Sequence, residues 1–146
     1  MTEHPTHPVP DEANTWQALD VLLKLALTLL QAGHTTHAMA QAVRRVAAAW
    51  QLNDVVVLGN GRAVIVEYTL PSGAAMSRTG DTPSIDAFDC EQMRQLAHVV
   101  DDIEAGRLRQ DQAAAAINQV LVTHRSASWT MGGGTLLALC VSLQVD

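Results

Sequence analysis

Apolar residues early in the chain recur at the three- and four-residue spacing of an α-helix. One apolar stripe comprises Trp16, Leu19, Leu23, Leu27 and Leu30, and a second comprises Leu22, Leu25 and Leu29. The pattern predicts a first helix from about Trp16 to Ala32, with Asn14 or Thr15 as its N-cap and Gly33 just after its last turn. Because several sides of this helix are apolar, we expect it to be covered on more than one face.

A second helix is predicted from Thr35 or Thr36, either of which can act as its N-cap, to about Gln51. Its apolar face comprises Met39, Val43, Val46, Ala47 and Trp50. The connection between the two helices is very short, so they should form an antiparallel hairpin.

The hydrophobic pattern then changes to runs of β-branched residues, which are typical of strands. "DVVVL" (54–58) and "RAVIVEYTL" (62–70) flank "GNG" (59–61), and this combination predicts a β-hairpin. A turn at Pro71-Ser72-Gly73 and a weaker third strand in "AAMSRT" (74–79) complete the small antiparallel sheet that we expect.

Two further helices should follow the loop "GDTPSIDAFD" (80–89). The third is predicted from about Asp86 to Ala105, before Gly106, and the fourth from about Asp111 to Val122. The inward face predicted for the third helix comprises Phe88, Met93, Leu96, Ala97, Val100 and Ile103. The inward face predicted for the fourth comprises Ala113, Ala116, Ile117, Val120 and Leu121.

The predicted fold class is α+β, with a helical hairpin, a small antiparallel β-sheet, two further helices and a truncated apolar C-terminal helix of membrane type. Residues 1–14 should be a disordered lead, residues 15–125 the α+β domain and residues 126–146 an apolar tail. The lead has no basic residue and no apolar run, so we do not expect it to be a signal peptide. As a helix, residues 131–145 would extend about 22 Å, too short for a hydrocarbon core of about 30 Å.

Composition narrows the function classes. Hydrophobic residues make up 48% of the 146 residues, which is enough for a core. The net charge is −6, and nine basic residues are too few for dense contacts with phosphates. Nucleic acid is therefore not an expected partner. Cys90 and Cys140 form no CxxC motif, which argues against a zinc knuckle or a redox pair and fits a reducing compartment.

His34 and His37 are the main candidates for metal binding, because residues three apart share one face of a helix. A zinc site needs at least three protein ligands, and nothing in the sequence brings His98 or His124 close to this pair. An exposed helix start is the favoured interpretation, so we predict no metal site.

Other polar patterns also lack the partners that catalysis requires. Asp101, Asp102 and Glu104 are neighbours on a helix end, where a solvated face is expected. "GNG" (59–61) and "MGGGT" (131–135) lack the lysine of a phosphate-binding loop, and no GxSxG motif is present. We therefore predict neither catalytic nor cofactor-binding residues, and expect that the protein is not an enzyme.

Two longer segments carry a resemblance to a known family. They are "LLKLALTLLQAGHTTHAMAQAVRRVAAAWQLNDVVVL" (22–58) and "LAHVVDDIEAGRLRQDQAAAAINQV" (96–120). With the Trp that precedes the apolar tail, their order resembles the cytosolic N-terminal domain of the threonine/serine exporter family, which includes split succinate exporters. The resemblance covers about residues 16 to 143.

Four positions match the motifs of that family: Gly33, Gly106, Leu108 and Trp129. In relatives the counterpart of Trp129 opens the first membrane span, although Ala127 and Ser128 stand here in place of the usual proline and arginine. Gln51 occupies a position where the family commonly has glycine. The resemblance does not indicate which residues bind substrate.

The resemblance implies a domain on the cytoplasmic side of the inner membrane that contributes to or regulates export of small amino acids or dicarboxylates. Relatives carry several membrane helices after this domain, so the chain alone should not transport. The implied partners are the membrane, reached through the tail, or a membrane transporter subunit, and a homo-oligomer is compatible with this arrangement. The alternatives are a free-standing module that pairs with a separate membrane subunit through helix 1 and the tail, or a small metal-dependent hydrolase using His34 and His37.

Overall fold

The computed structural model describes residues 12–82 and 88–122. Its elements are α1 (Glu12–Gln31), α2 (Thr36–Ala49), β1 (Val55–Asn60), β2 (Ala63–Thr69), β3 (Ala75–Asp81), α3 (Cys90–Glu104) and α4 (110–122). The described part is α+β, with the helical hairpin, the antiparallel sheet and the two further helices in the predicted order. The predicted membrane-type helix in residues 126–146 lies outside the described residues.

The first helix begins earlier than predicted. α1 starts at Glu12, so Asn14 and Thr15 lie inside the helix, and the prediction that one of them is the N-cap is wrong. The boundary predicted at residue 14 between the disordered lead and the domain is therefore too late, because residues 12–14 are helical. Glu12 places a carboxylate in the first turn, where it interacts favourably with the helix dipole.

α1 forms the centre of the core. Leu19, Leu22 and Leu25 are fully buried, and the helix packs against α2, β2 and β3. On a further side, Lys24 Nζ donates to Asn118 Oδ1 of α4 at 3.0 Å. The expectation that this helix is covered on more than one face is confirmed. Pairing of helix 1 with a membrane subunit stays a prediction, since most of its apolar residues pack inside the domain whereas Leu23 and Leu27 are only partly buried.

The three strands form one antiparallel sheet in the order β1-β2-β3. Asn60 pairs with Ala63, so the hairpin turn consists of Gly61 and Arg62 rather than "GNG". Gly61 has a φ of 61°, which suits the first central position of a two-residue turn. β3, predicted as the weaker strand, has seven residues, as many as β2.

Glycines let the helical hairpin approach the sheet closely. A Cβ atom built on Gly59 would lie 2.5 Å from Cγ2 of Thr36, at the start of α2. One built on Gly80 would lie 3.0 Å from Cδ1 of Leu27 on α1. β3 is also tied to α1 by Arg78, whose guanidinium carbon lies 4.0 Å from the centroid of the Trp16 ring. The sheet therefore covers one face of the hairpin directly.

α3 packs against α2 on the face opposite the sheet. The helix begins at Cys90, so its predicted start at Asp86 is wrong: Phe88 and Asp89 precede it, and residues 83–87 lie outside the described part. Asp89 is the N-cap of a capping box, in which its Oδ1 accepts from Gln92 N at 2.7 Å. This bond fixes the helix start by satisfying an amide of the first turn.

The inward face of α3 differs from the prediction, because one predicted residue is exposed and two other residues are buried. Ala97 is exposed, whereas Gln92 and Val99 are buried. Gln92 turns inward because its Oε1 accepts from Asp89 N at 2.8 Å in the capping box. α4 follows its prediction closely, with Ala113, Ile117 and Val120 buried.

Within residues 12–82 and 88–122, no helix combines the length and the apolar character needed to cross a bilayer.

Candidate functional site

The end of α2 forms one side of a cleft. Gln51 N donates to Ala48 O and Leu52 N donates to Ala47 O, both at 2.9 Å. This pair of bonds is a Schellman motif, and it requires a left-handed conformation at Gln51, whose φ is 64°. The motif reverses the chain after Trp50 and leaves Gln51 exposed at the rim.

The end of α3 forms the facing side with the same motif. Gly106 N donates to Ile103 O at 2.9 Å, and Arg107 N donates to Asp102 O at 2.8 Å. Gly106 has a φ of 71°, so the predicted role of this glycine as a helix terminator is confirmed. The chain then reverses, and Leu108 returns to pack on the core.

The start of α4 completes the cleft. Ala113 N donates to Arg109 O at 2.8 Å, so Arg109 occupies the N-cap position. Its side chain has no acceptor atom and cannot cap the amides of the first turn. Instead, Gln112 Oε1 accepts from Arg109 N at 3.0 Å, while Arg109 Nε lies 3.7 Å from Asp111 Oδ1.

The cleft between these three helix ends and the first turns of α1 has a volume of about 600 Å³. Its apolar wall includes Trp50, Ile103 and Leu108. Its polar lining comprises Asn14, Gln17, Gln51, Arg109, Gln110 and Asp111. Small-molecule sites commonly occupy about 300–1,000 Å³ and combine an apolar wall with a few polar groups, so both size and lining suit a small ligand.

Two polar atoms of the cleft lining lack a hydrogen-bond partner in the described part of the chain. Trp50 Nε1, a donor, and Gln110 Oε1, an acceptor, are both buried from solvent. A buried polar group without a partner costs about 1–3 kcal/mol, so any group that pairs with these atoms is stabilised in the cleft.

The motif positions singled out in the sequence do not all meet here. Gly106 and Leu108 line the cleft. Gly33, whose φ of 86° terminates α1, lies at the opposite end of that helix from the cleft. Trp129 lies outside the described residues. A functional role for these positions stays a prediction.

The histidines take part in separate local contacts. His37 is exposed, with its Nε2 2.9 Å from Nε2 of Gln41, whereas His34 lines a groove between α2 and α3. His98 lies beside Arg94, and His124 is outside the described residues. Across residues 12–82 and 88–122, no group of three His, Cys, Asp or Glu side chains is placed to hold a metal ion.

The carboxylates near the end of α3 are divided between two arginines. Asp102 Oδ1 lies 2.6 Å from Arg107 Nη2, and Glu104 Oε1 lies 2.7 Å from Arg45 Nε. Asp101 is exposed. These groups are solvent-facing, and the two ion pairs do not form a shared acid–base pair, in agreement with the interpretation of this run as a solvated face.

Sequence reasoning missed Trp50, Arg109 and Gln110 as members of one site. They come from segments 49–51 and 103–111, which join only after the hairpin and the α3–α4 reversal have formed. The one local signal was Gln51, which stands where the resemblance calls for glycine and lies at the rim of the cleft.

Residues 20–145 match the family model for threonine/serine exporters, ThrE. No curated protein and no solved structure is significantly similar to the chain. The family match includes the α2, α3 and α4 sides of the cleft, whereas Asn14 and Gln17 precede it.

Proposed function

The chain belongs to the threonine/serine exporter family, and on this premise we propose that its α+β domain lies on the cytoplasmic side of the inner membrane, where it contributes to or regulates export of small amino acids or dicarboxylates. The family match confirms the resemblance found in the order of the segments. It begins at residue 20 and thus includes every described element except the first two turns of α1.

The observation that carries the proposal is this match over residues 20–145. The cleft adds support, because a cavity that binds a small polar solute suits delivery of a cargo or control of export by that cargo. Its lining combines one cation, one anion and several neutral polar groups, which is suited to reversible binding of a polar solute.

Efflux from cells tests the contribution to export. In a host that produces this chain, deletion of its coding region should lower efflux of threonine, serine or succinate, and expression of the 146-residue chain should restore it. A cleft variant for comparison is Gly106→Trp, which places a bulky side chain at a cleft-lining, left-handed position and should restore less efflux than the unchanged chain. Unchanged efflux of all three solutes after deletion would contradict the proposal.

Proteoliposomes test whether the chain transports by itself. We propose that the chain does not form the transport path, so the purified chain alone should release no labelled threonine or succinate from loaded vesicles. A pore-forming peptide serves as the positive control for release. Saturable, solute-specific release by the chain alone would show that it is itself the transporter, and the proposal of a contributing domain would fail.

We also propose that residues 126–146 mediate contact with the membrane or with a membrane subunit. The support is the run from Met131 to Leu143, which has no charged residue. Crosslinking in intact cells should recover membrane lipid or an integral-membrane protein with the full chain, and much less with a chain that ends at residue 125. Equal recovery by both chains would contradict this role.

A further inference from the structure

We infer that the cleft at the ends of α2 and α3 binds a small α-amino acid in its zwitterionic form. This rests on the proposed function, which leaves amino acids and dicarboxylates both open. In the inferred complex, the Trp50 indole N–H and the Arg109 guanidinium bind the carboxylate of the ligand. The Gln110 amide oxygen and the Asp111 carboxylate accept from its ammonium group.

The two unpaired atoms are the first argument for this ligand. Within residues 12–82 and 88–122, Trp50 Nε1 has no acceptor and Gln110 Oε1 has no donor. An α-amino acid carries both kinds of group on adjacent atoms. A dicarboxylate at neutral pH carries acceptors alone, so it would leave Gln110 Oε1 unpaired and would place a second negative charge in the cleft.

The charges of the cleft point the same way. Arg109 and Asp111 lie 3.7 Å apart, longer than a hydrogen bond, and their side chains are 85% and 62% exposed. Such an exposed pair contributes little, so each partner can exchange its contact for a ligand group of opposite charge. The chain has a net charge of −6, which disfavours a doubly negative ligand over one with no net charge.

Binding requires a small rearrangement of side chains. Trp50 Nε1 and Gln110 Oε1 are buried from solvent, while Gln51 and Arg109 at the rim of the cleft are exposed. A competing outcome is therefore that Trp50 and Gln110 rotate and pair with each other, so that the cleft has no unmet hydrogen bond to offer.

Nuclear magnetic resonance of the full ¹⁵N-labelled chain provides the direct readout. The three tryptophans, Trp16, Trp50 and Trp129, give three indole N–H signals. Addition of L-threonine should shift the Trp50 signal in a saturable way and leave the Trp16 signal in place. Succinate at the same concentration should shift the Trp50 signal much less.

Variants then identify the groups that bind. Trp50→Phe removes the indole N–H but keeps an aromatic ring, and Arg109→Ala removes an exposed cation, so each should weaken L-threonine binding about tenfold by calorimetry. Trp16→Phe is the matched control, because the Trp16 ring stacks on Arg78 and does not line the cleft. Asp111→Asn should reduce the preference for L-threonine over succinate. Thermal unfolding of each variant reports whether it is folded.

Three results would overturn the inference: no saturable shift at about 10 mM L-threonine, equal affinity for succinate, or unchanged binding in folded Trp50→Phe and Arg109→Ala variants. If the Trp50 signal shifts in the Gln110→Ala variant but not on addition of L-threonine, the two side chains pair with each other and the inference fails. Each of these results leaves the efflux assay untouched, so a failure of the ligand assignment is distinct from a failure of the exporter role.

Discussion

Gln51 has a left-handed backbone conformation, with a φ of 64°, at the position after the last turn of α2. It is the one residue other than glycine with a positive φ in residues 12–82 and 88–122. The Cβ atom of an L-residue crowds the following carbonyl in this conformation, at a cost of about 1–2 kcal/mol. The Schellman bonds of Gln51 and Leu52 hold the residue there despite this cost.

Gln51→Gly should therefore stabilise the domain. Relief of the strain exceeds the extra backbone entropy that glycine loses on folding, about 0.5–1 kcal/mol, so we expect a gain of about 0.5–1 kcal/mol in the free energy of unfolding. Urea denaturation followed by circular dichroism measures the change. Gln51→Ala is the control and should stay within about 0.5 kcal/mol of the wild type, because it keeps the Cβ atom. A destabilised Gln51→Gly variant would contradict this account.

Glu91 in the first turn of α3 gives stability a dependence on pH. The hydrogen bond from Arg94 Nη2 at 2.7 Å, followed by the bond from Gln95 Nε2 at 3.0 Å, holds the pKa of the Glu91 carboxyl below its ordinary value of 4.5. A carboxyl whose pKa is lower in the folded chain stabilises the fold above that ordinary value. The contribution is lost as the pH falls through the lowered pKa.

We therefore expect Glu91→Gln to unfold at a lower urea concentration than the wild type at neutral pH. The difference should shrink as the solution is acidified below the ordinary pKa of 4.5, and should vanish once Glu91 is protonated in the folded chain. Urea midpoints of both proteins across this pH range provide the measurement. A difference that is the same at every pH would show that Glu91 acts through packing rather than through its charge.

At the scale of elements, Gly59 sets how closely β1 approaches α2. An added Cβ atom would lie 2.5 Å from Thr36 Cγ2 and 3.1 Å from Met39 Cε. Gly59→Ala should therefore force the strand and the helix apart and lower the free energy of unfolding by about 1–3 kcal/mol. Urea denaturation measures the loss.

A second substitution tests the cause of this loss. Thr36→Ser removes the Cγ2 methyl group, so the double variant Gly59→Ala/Thr36→Ser should recover part of the lost stability. Gly80→Ala is the comparison in β3: its added Cβ atom would meet the flexible ends of Leu27 and Leu23, at 3.0 and 3.3 Å, and should cost less. If the double variant recovers no stability, the loss in Gly59→Ala does not come from a clash with the Thr36 methyl group.

Helical periodicity, β-branched runs and turn residues predicted every described element, but several boundaries were misplaced. The start of α1 was missed because residues 12–14 carry no apolar pattern. These residues are helical because they extend a helix whose later turns are stabilised by burial. The turn of the first hairpin was misplaced because glycine usually weakens a strand. Gly59 is nevertheless in β1, since the contact with α2 requires a residue without a side chain, and that cause is tertiary.

At the scale of the whole molecule, the cleft arises from chain segments that are far apart in sequence. The antiparallel hairpin places the end of α2 near the start of α1, and the reversal at Gly106 brings the start of α4 to the same place. The resemblance located Gly106 and Leu108 in the sequence. Trp50 was predicted as a core residue and Gln110 was not singled out, because an unpaired hydrogen-bonding atom is visible only when every neighbour is known.

The apolar tail makes a prediction for the molecule as a whole. Buried apolar residues from α1, α2, the sheet, α3 and α4 form one core within the described residues. Deletion of Met131 to Asp146 should therefore leave the urea midpoint unchanged, while removal of an uncharged segment should reduce association of the isolated protein. Light scattering and circular dichroism measure these two properties. Deletion of residues 1–11 is the control and should change neither, whereas loss of cooperative unfolding on deletion of the tail would show that the tail belongs to the core.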